Sequence, residues 1–194
     1  MANTNHRIIE SSNHPFAFSK ENLAKAEKII AKYPSGRQQS AVLPLLDLAQ
    51  RQNNNWLTKA AMDVVAEMLG MSPIRVYEVA TFYTMFNLAP VGKNFIQICR
   101  TTPCWLRGSD EVTRACKENI GIDIGETSAD GLFSLVEVEC LGACVNAPVV
   151  QINDHYYEDL TATNMAKIIE DLRAGREVKQ GSQIGRKCSA PVGK

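Results

Sequence analysis

The chain has 194 residues, of which 45% are hydrophobic and 22% charged, and its 21 basic residues balance 21 acidic ones. This length suits one large or two small domains, and the balanced charge argues against nucleic acid or an anionic membrane as the main partner. No apolar run approaches the ~20 residues that span a bilayer, so we expect no direct membrane insertion. Residues 1–20 resemble neither a signal peptide nor a transit peptide, which predicts a reducing compartment.

Apolar residues in the first half recur at helical spacing and predict a helical bundle over residues 19–90, after a flexible N-terminus over residues 1–18. Ser19 is a suitable N-cap for the first helix, and Thr58 for the third. Gly70 suits a left-handed cap at the end of the third helix.

The fourth predicted helix opens at Ser72 and Pro73, since proline is favoured in a first helical turn. Its residues 74–86 are apolar on nearly every side. A helix that is apolar all round is normally buried, so we expect this helix to be the most buried one of the bundle.

The hydrophobic period changes after residue 90, which predicts a second domain of mixed strands and helices over residues 91–175. Its predicted elements are strands at 94–99 and 132–140, a helix at 109–120, a hairpin turning at Asn153-Asp154, and a last helix capped by Thr161. Residues 176–194 form a basic, glycine-containing tail, which we expect to be solvated rather than docked on an acidic partner.

Four of the six cysteines form two pairs, and each pair follows a predicted strand. Cys99 and Cys104 lie in "CRTTPC", and Cys140 and Cys144 lie in "ECLGAC". In a reducing compartment these cysteines suit metal or redox chemistry better than a disulfide framework. The two pairs converge on one point if the two strands are neighbours in the sheet.

Four thiolates at one point can hold a [2Fe-2S] cluster or a zinc ion, and redox-active dithiols are a third reading. The wide spacings of four and three residues suit a two-iron cluster, because each pair must span a larger object than one ion. Gly142 allows backbone N–H groups to approach the sulfur atoms. A thiol-disulfide oxidoreductase would need a C-x-x-C pair, and the sequence contains none.

The remaining candidates point to no catalytic residue. Cys116 lies on the apolar face of a predicted helix and is expected in the core, Cys188 is expected to be a free thiol, and His155 is expected at the surface. The sequence has no G-x-G-x-x-G, H-E-x-x-H or G-x-S-x-G motif. An electron centre without a substrate site implies that another protein supplies and removes the electrons.

The cysteine segments "CRTTPCWLRGSDEV" and "ECLGACVNAPVVQIND", with "YPSGRQQSAVLPLLDLAQRQ" and "EVATFYTMF", resemble the [2Fe-2S] 24 kDa subunit family of respiratory complex I (NADH:quinone oxidoreductase). The resemblance runs from about residue 18 to about residue 186. It implies an α+β chain, in which an N-terminal helical bundle precedes a thioredoxin-like [2Fe-2S] ferredoxin domain. It also implies one [2Fe-2S] cluster with Cys99, Cys104, Cys140 and Cys144 as its ligands.

The same resemblance implies an electron-transfer subunit of a respiratory-chain oxidoreductase and translocase that uses NAD and ubiquinone. The neighbouring peripheral-arm subunit would bind FMN, NADH and a [4Fe-4S] cluster, and this chain would exchange single electrons with that FMN. The implied location is the cytoplasmic face of a bacterial inner membrane, or alternatively the matrix side of the mitochondrial inner membrane.

Two other functions stay open at this point. Similar subunits serve soluble NAD-linked hydrogenases and formate dehydrogenases, which would keep the chemistry and change the host complex. A structural zinc interaction module would use the same four cysteines and would be redox silent.

Overall fold

A computed structural model describes residues 15–187 of the chain. Its tertiary contacts divide the chain into two compact units, with the boundary between Val91 and Gly92. Helices build the first unit, and helices with a five-stranded sheet build the second. The α+β class predicted from the sequence is therefore confirmed. Most of the predicted N-terminal segment, and Cys188, lie outside the described residues.

In the described part of the first unit there are four α-helices. They are α1 Lys20–Ile30, α2 Val42–Gln52 after a 3-10 turn at Gln38–Ala41, α3 Lys59–Leu69 and α4 Pro73–Phe82. The predicted caps are present: the Ser19 and Thr58 side chains accept the N–H groups of Asn22 and Ala61. Gly70 ends α3 with φ +59°, in the left-handed region that glycine adopts at little cost.

The prediction that α4 is the most buried helix of the bundle is wrong. Only Val76 and Ala80 are buried along it, whereas Ile74 is exposed and Phe82 keeps 75% of its surface. The helix meets α3 and α2, and Tyr77 and Val79 pack partly buried against the same core. The apolar composition of a helix therefore does not show which of its faces the fold covers.

The second unit combines three helices with five strands across its described residues. Its elements are β1 Asn94–Cys99, α5 Thr102–Leu106, α6 Ser109–Ile120, β2 Phe133–Val138, β3 Val150–Ile152, β4 His155–Glu158, α7 Ala162–Arg173 and β5 Gly181–Ser182. The strand order is β2-β1-β3-β4-β5. The β1–β2 and β4–β5 pairs are parallel, and the β1–β3 and β3–β4 pairs are antiparallel.

The core of the second unit lies between the sheet and helices α6 and α7. Strands β1 and β2 contribute their apolar residues, α6 contributes Val112 and Cys116, and α7 contributes Met165 and Ile169. Thr161 caps α7 in a reciprocal capping box, which satisfies two free N–H groups at the helix start. The rigid sheet that results fixes where its strands end, and these ends position the cysteines.

Within the described part of the chain, we find no helix with both the length and the apolar composition to cross a membrane.

Candidate metal centre

The four paired cysteines lie where β1 and β2 end. Because these strands are parallel neighbours, with Cys99 opposite Val138, the loops that follow them leave the sheet at the same edge. Cys99 is the last residue of β1, and Cys104 lies in the short helix α5. Cys140 follows β2 by two residues, and Cys144 opens the 3-10 turn Cys144–Asn146.

The first pair is buried. Cys99 and Cys104 are each 1% exposed and pack against Ala147 and Val149. The hydroxyl of Thr101 lies 3.3 Å from the Cys99 sulfur, and the two thiols of the pair hydrogen-bond each other. This side of the site is therefore closed to water and lined by apolar side chains.

The second pair is exposed at the surface of the chain. The sulfur atoms of Cys140 and Cys144 are 3.5 Å apart, and the backbone N–H of Gly142 donates to the Cys140 sulfur at 3.4 Å. Gly142 has φ +81°, which a residue with a Cβ adopts only with strain. Glycine at this position therefore lets the loop turn its N–H group toward sulfur.

The two pairs also contact each other. The N–H of Leu141, in the loop of the second pair, donates to the Cys99 sulfur of the first. The Thr101 hydroxyl interacts with Cys140 as well as with Cys99. The structure thus places the two pairs side by side, linked through Leu141 and Thr101.

Within each pair, one thiol is easier to ionise than the other. Hydrogen bonds with the Gly142 N–H and the Cys144 thiol lower the pKa of Cys140. The hydrogen bond with Cys140 raises the pKa of Cys144. Burial raises the pKa of Cys99, but hydrogen bonds from Thr101 and Leu141 outweigh it and leave this pKa below its ordinary value.

Cys104 is the thiol of the buried pair that keeps its proton. Burial and the hydrogen bond with Cys99 raise its pKa to about 12. Since a metal ligand must be a thiolate, binding a metal here would release protons, and the affinity for metal would rise with pH.

The geometry bears on which metal group fits the thiols. A zinc ion needs its sulfur ligands at ~2.3 Å, which sets the sulfur atoms about 3.8 Å from one another. Among residues 15–187, however, no three side chains of His, Cys, Asp or Glu lie close enough together to hold one metal ion. The two adjoining pairs offer four thiols in all, the number of cysteine ligands that a [2Fe-2S] cluster takes.

The other sequence candidates lie away from this site. Cys116 is fully buried in the core of α6, where burial raises its pKa to about 12, and His155 is exposed at the hairpin. Sequence reasoning missed Thr101, although it stands between two candidate ligands in "CRTTPC". It also missed Tyr156, whose hydroxyl donates to the Leu141 carbonyl at 2.7 Å, because 15 residues separate the two.

Comparisons with known proteins show what the chain is similar to. A family model described as a thioredoxin-like [2Fe-2S] ferredoxin matches residues 26–173. The mitochondrial NADH dehydrogenase (ubiquinone) flavoprotein 2 of Dictyostelium discoideum is 54% identical over 181 residues, which cover 93% of this chain and 73% of that protein. An NADH-quinone oxidoreductase subunit of Rickettsia bellii is 65% identical over 158 residues, which cover 81% of this chain and 95% of that protein.

A solved structure shares the fold. A chain in the crystal structure of an NAD+-reducing [NiFe]-hydrogenase in the H2-reduced state superposes with a TM-score of 0.60 at 22% identity. The match covers 68% of this chain and 23% of that one. At this identity the likeness concerns the fold alone.

Proposed function

The chain belongs to the thioredoxin-like [2Fe-2S] ferredoxin family, and we propose that it is the electron-transfer subunit of an NADH-quinone oxidoreductase, respiratory complex I. In this proposal Cys99, Cys104, Cys140 and Cys144 hold one [2Fe-2S] cluster. The cluster exchanges single electrons with FMN of the neighbouring subunit. That subunit, and not this chain, binds FMN and NADH.

The observation that carries the proposal is the meeting of two thiol pairs at the ends of parallel strands β1 and β2. Hydrogen-bond donors surround the sulfur atoms: the N–H groups of Gly142 and Leu141 and the hydroxyl of Thr101. Such donors stabilise thiolates and the added negative charge of a reduced cluster. A bound two-iron cluster would supply one-electron chemistry here.

The chain's own residues give the two sides of the site different roles. Ala147 and Val149 cover the pair Cys99 and Cys104 and exclude water, whereas the second pair faces outward. We infer that the electron partner approaches from the outward side, because electron transfer is fastest over the shortest path.

Exposed apolar side chains support docking on a partner subunit. Trp105 and Leu106 directly follow Cys104, Val145 directly follows Cys144, and all three are exposed. Phe82, at the end of α4, is exposed in the helical unit. Neighbouring exposed apolar side chains such as Trp105 and Leu106 suit an interaction surface, and the proposed partner is the FMN-binding [4Fe-4S] subunit of the peripheral arm.

The named relatives at 54–65% identity come from bacteria and from mitochondria. The proposed location is therefore the peripheral arm of the complex, on the cytoplasmic face of a bacterial inner membrane or on the matrix side of the mitochondrial inner membrane.

Serine substitution tests the ligand set. We expect Ser at any one of Cys99, Cys104, Cys140 or Cys144 to reduce the iron and acid-labile sulfide content or to alter the visible absorption of the purified chain. Cys116→Ser is the matched control, because it removes a thiol of the same unit that lies in the core. Cys188→Ser is a second control, and loss of iron in either control would overturn the assignment.

The test also separates the rival functions. Zinc in place of iron, in protein purified without air, would support the structural zinc module and end the electron-transfer proposal. Co-purification with hydrogenase or formate dehydrogenase subunits would keep the cluster and replace the host complex.

A further inference from the structure

The loop that carries the exposed cysteines, residues 140–146, is held in place by two side chains from outside it; we name it the cysteine loop. Near its start, the Tyr156 hydroxyl donates to the Leu141 carbonyl at 2.7 Å. Near its end, the Arg186 guanidinium donates through Nη2 to the carbonyl of Val145, the residue after Cys144. The second tether comes from the C-terminal segment, beyond the last helix.

Arg186 is itself fixed by buried partners. Its Nη2 also donates to Oδ1 of Asp159 at 2.7 Å, and the side chains of the two residues are 18% and 4% exposed. The other carboxylate oxygen of Asp159 accepts the Ser182 hydroxyl at 2.7 Å. The Ser182 oxygen in turn accepts the backbone N–H of Arg186 at 3.0 Å, so one serine orients both members of the ion pair.

Backbone contacts also connect the Arg186–Asp159 ion pair to the cysteine loop. Strand β5 pairs with β4 and sets Ser182 opposite Glu158, which places the ion pair beside the loop. The backbone N–H of Asp159 donates to the carbonyl of Asn146 at 2.7 Å. The two residues after Cys144 are therefore both tied to the ion pair, one to each of its members.

We propose that Arg186 is a positioning residue for the metal centre, which holds Cys144 where the cluster needs a ligand. The proposal rests on the proposed function, because it takes Cys144 as a ligand. Arg186 lies beyond residue 173, where the match to the family model ends, so the tether belongs to a segment that the family model does not cover. Within the basic tail, Gly181 and Ser182 pair with β4 and Arg186 is held by Asp159, whereas Ile184 and Gly185 are exposed.

The role of Arg186 is positional and not that of a positive charge near the cluster. Asp159 neutralises the guanidinium at 2.7 Å, so the pair exerts little net field on the sulfur atoms. The donated hydrogen bond to the Val145 carbonyl is what the loop would lose. Lysine can restore one such bond, and methionine cannot.

The first measurement needs no cluster. We expect Arg186→Met to accelerate backbone hydrogen exchange of residues 144–147 and 159 in the full-length apo chain, whereas exchange in β1 stays unchanged. Lys187→Met is the matched control, because Lys187 is the next residue, is exposed and loses the same charge. If Arg186→Met does not fold, Ser182→Ala takes its place, since it removes the oxygen that orients the pair. Exchange equal to that of the unaltered chain would overturn the tether.

The second measurement uses the chain reconstituted with iron and sulfide without air. We expect Arg186→Met, or Ser182→Ala in its place, to release iron to bathophenanthroline disulfonate about tenfold faster, the factor for a lost interaction of about 1.4 kcal/mol. Arg186→Lys should recover most of the slow release, and Lys187→Met should match the unaltered chain. The EPR spectrum of the reduced Arg186→Met cluster should broaden, a change that a general loss of stability would not produce.

The two measurements distinguish failure of the proposed function from failure of the positioning role of Arg186. If the unaltered chain takes up no iron and sulfide, the proposed function falls, and the exchange experiment still decides whether Arg186 orders the loop. If the cluster forms and Arg186→Met releases iron at the rate of the unaltered chain, the positioning role falls and the proposed function stands.

Discussion

Thr101 offers the sharpest test of how the protein tunes its proposed cluster. Its hydroxyl lies 3.3 Å from the Cys99 sulfur and also interacts with Cys140, so one side chain touches both cysteine pairs. We expect Thr101→Val to preserve the shape of the site while removing this donor. The reduced cluster, which carries one more negative charge, should lose more from the change than the oxidised cluster does.

The magnitude follows from the strength of such a bond. A hydrogen bond to a charged acceptor contributes about 1.5–3 kcal/mol, and only the part gained on reduction changes the potential. If that part is about 0.5–1 kcal/mol, the midpoint potential falls by about 20–40 mV, since 59 mV corresponds to a tenfold change for a one-electron couple.

The assay is a redox titration of the reconstituted chain, followed by EPR at controlled potentials. Thr101→Ser keeps the hydroxyl and should keep the potential. Thr102→Val is the matched control, because Thr102 is the next residue and is exposed. An unchanged potential in Thr101→Val, or an equal shift in Thr102→Val, would refute the reasoning.

Three further predictions concern the fold and the partner surface. Gly92→Ala should destabilise the second unit by about 1–3 kcal/mol, because its Cβ would lie 2.5 Å from the backbone carbon of Phe133; an unchanged urea midpoint would contradict this. Tyr77→Phe should cost about 1 kcal/mol at pH 7 by removing the bond to Asp63. Burial raises the pKa of Asp63, but hydrogen bonds from Tyr77 and Lys59 outweigh it and leave this pKa below its ordinary 3.8. The deficit should therefore shrink as the pH falls below that value and the carboxylate is protonated, and a deficit independent of pH would count against the bond. Leu106→Lys should weaken co-purification with the FMN-binding subunit while iron content stays constant, and undiminished co-purification would remove Leu106 from the proposed interface.

Local chemistry made much of the second unit predictable from the sequence. The strand at 94–99 and the helix at 109–120 have the predicted bounds. The spacing of their apolar residues marks both elements, and a glycine lies at each end of the helix. The turn at Asn153 is also where the sequence sets it, and its φ of 53° is one that asparagine tolerates. The cysteines were identifiable because their pairs follow these strands directly.

What the sequence could not show depends on partners distant along the chain. Strand β5 has only two residues and no apolar alternation, and it exists because the edge of β4 is free to pair with it. The contacts of Arg186 with Asp159 and Val145 span 27 and 41 residues, so no local sequence pattern predicts them. Helix α4 was predicted as buried for the same reason: its composition is local, and its exposure depends on what packs around it.

The measurement that tests the central claim most directly is anaerobic EPR of the dithionite-reduced full-length chain, with iron and acid-labile sulfide quantified on the same sample. The account predicts a rhombic or axial spin-one-half signal, with two irons and two sulfides for each chain. A silent spectrum from protein that holds zinc and no iron would contradict it.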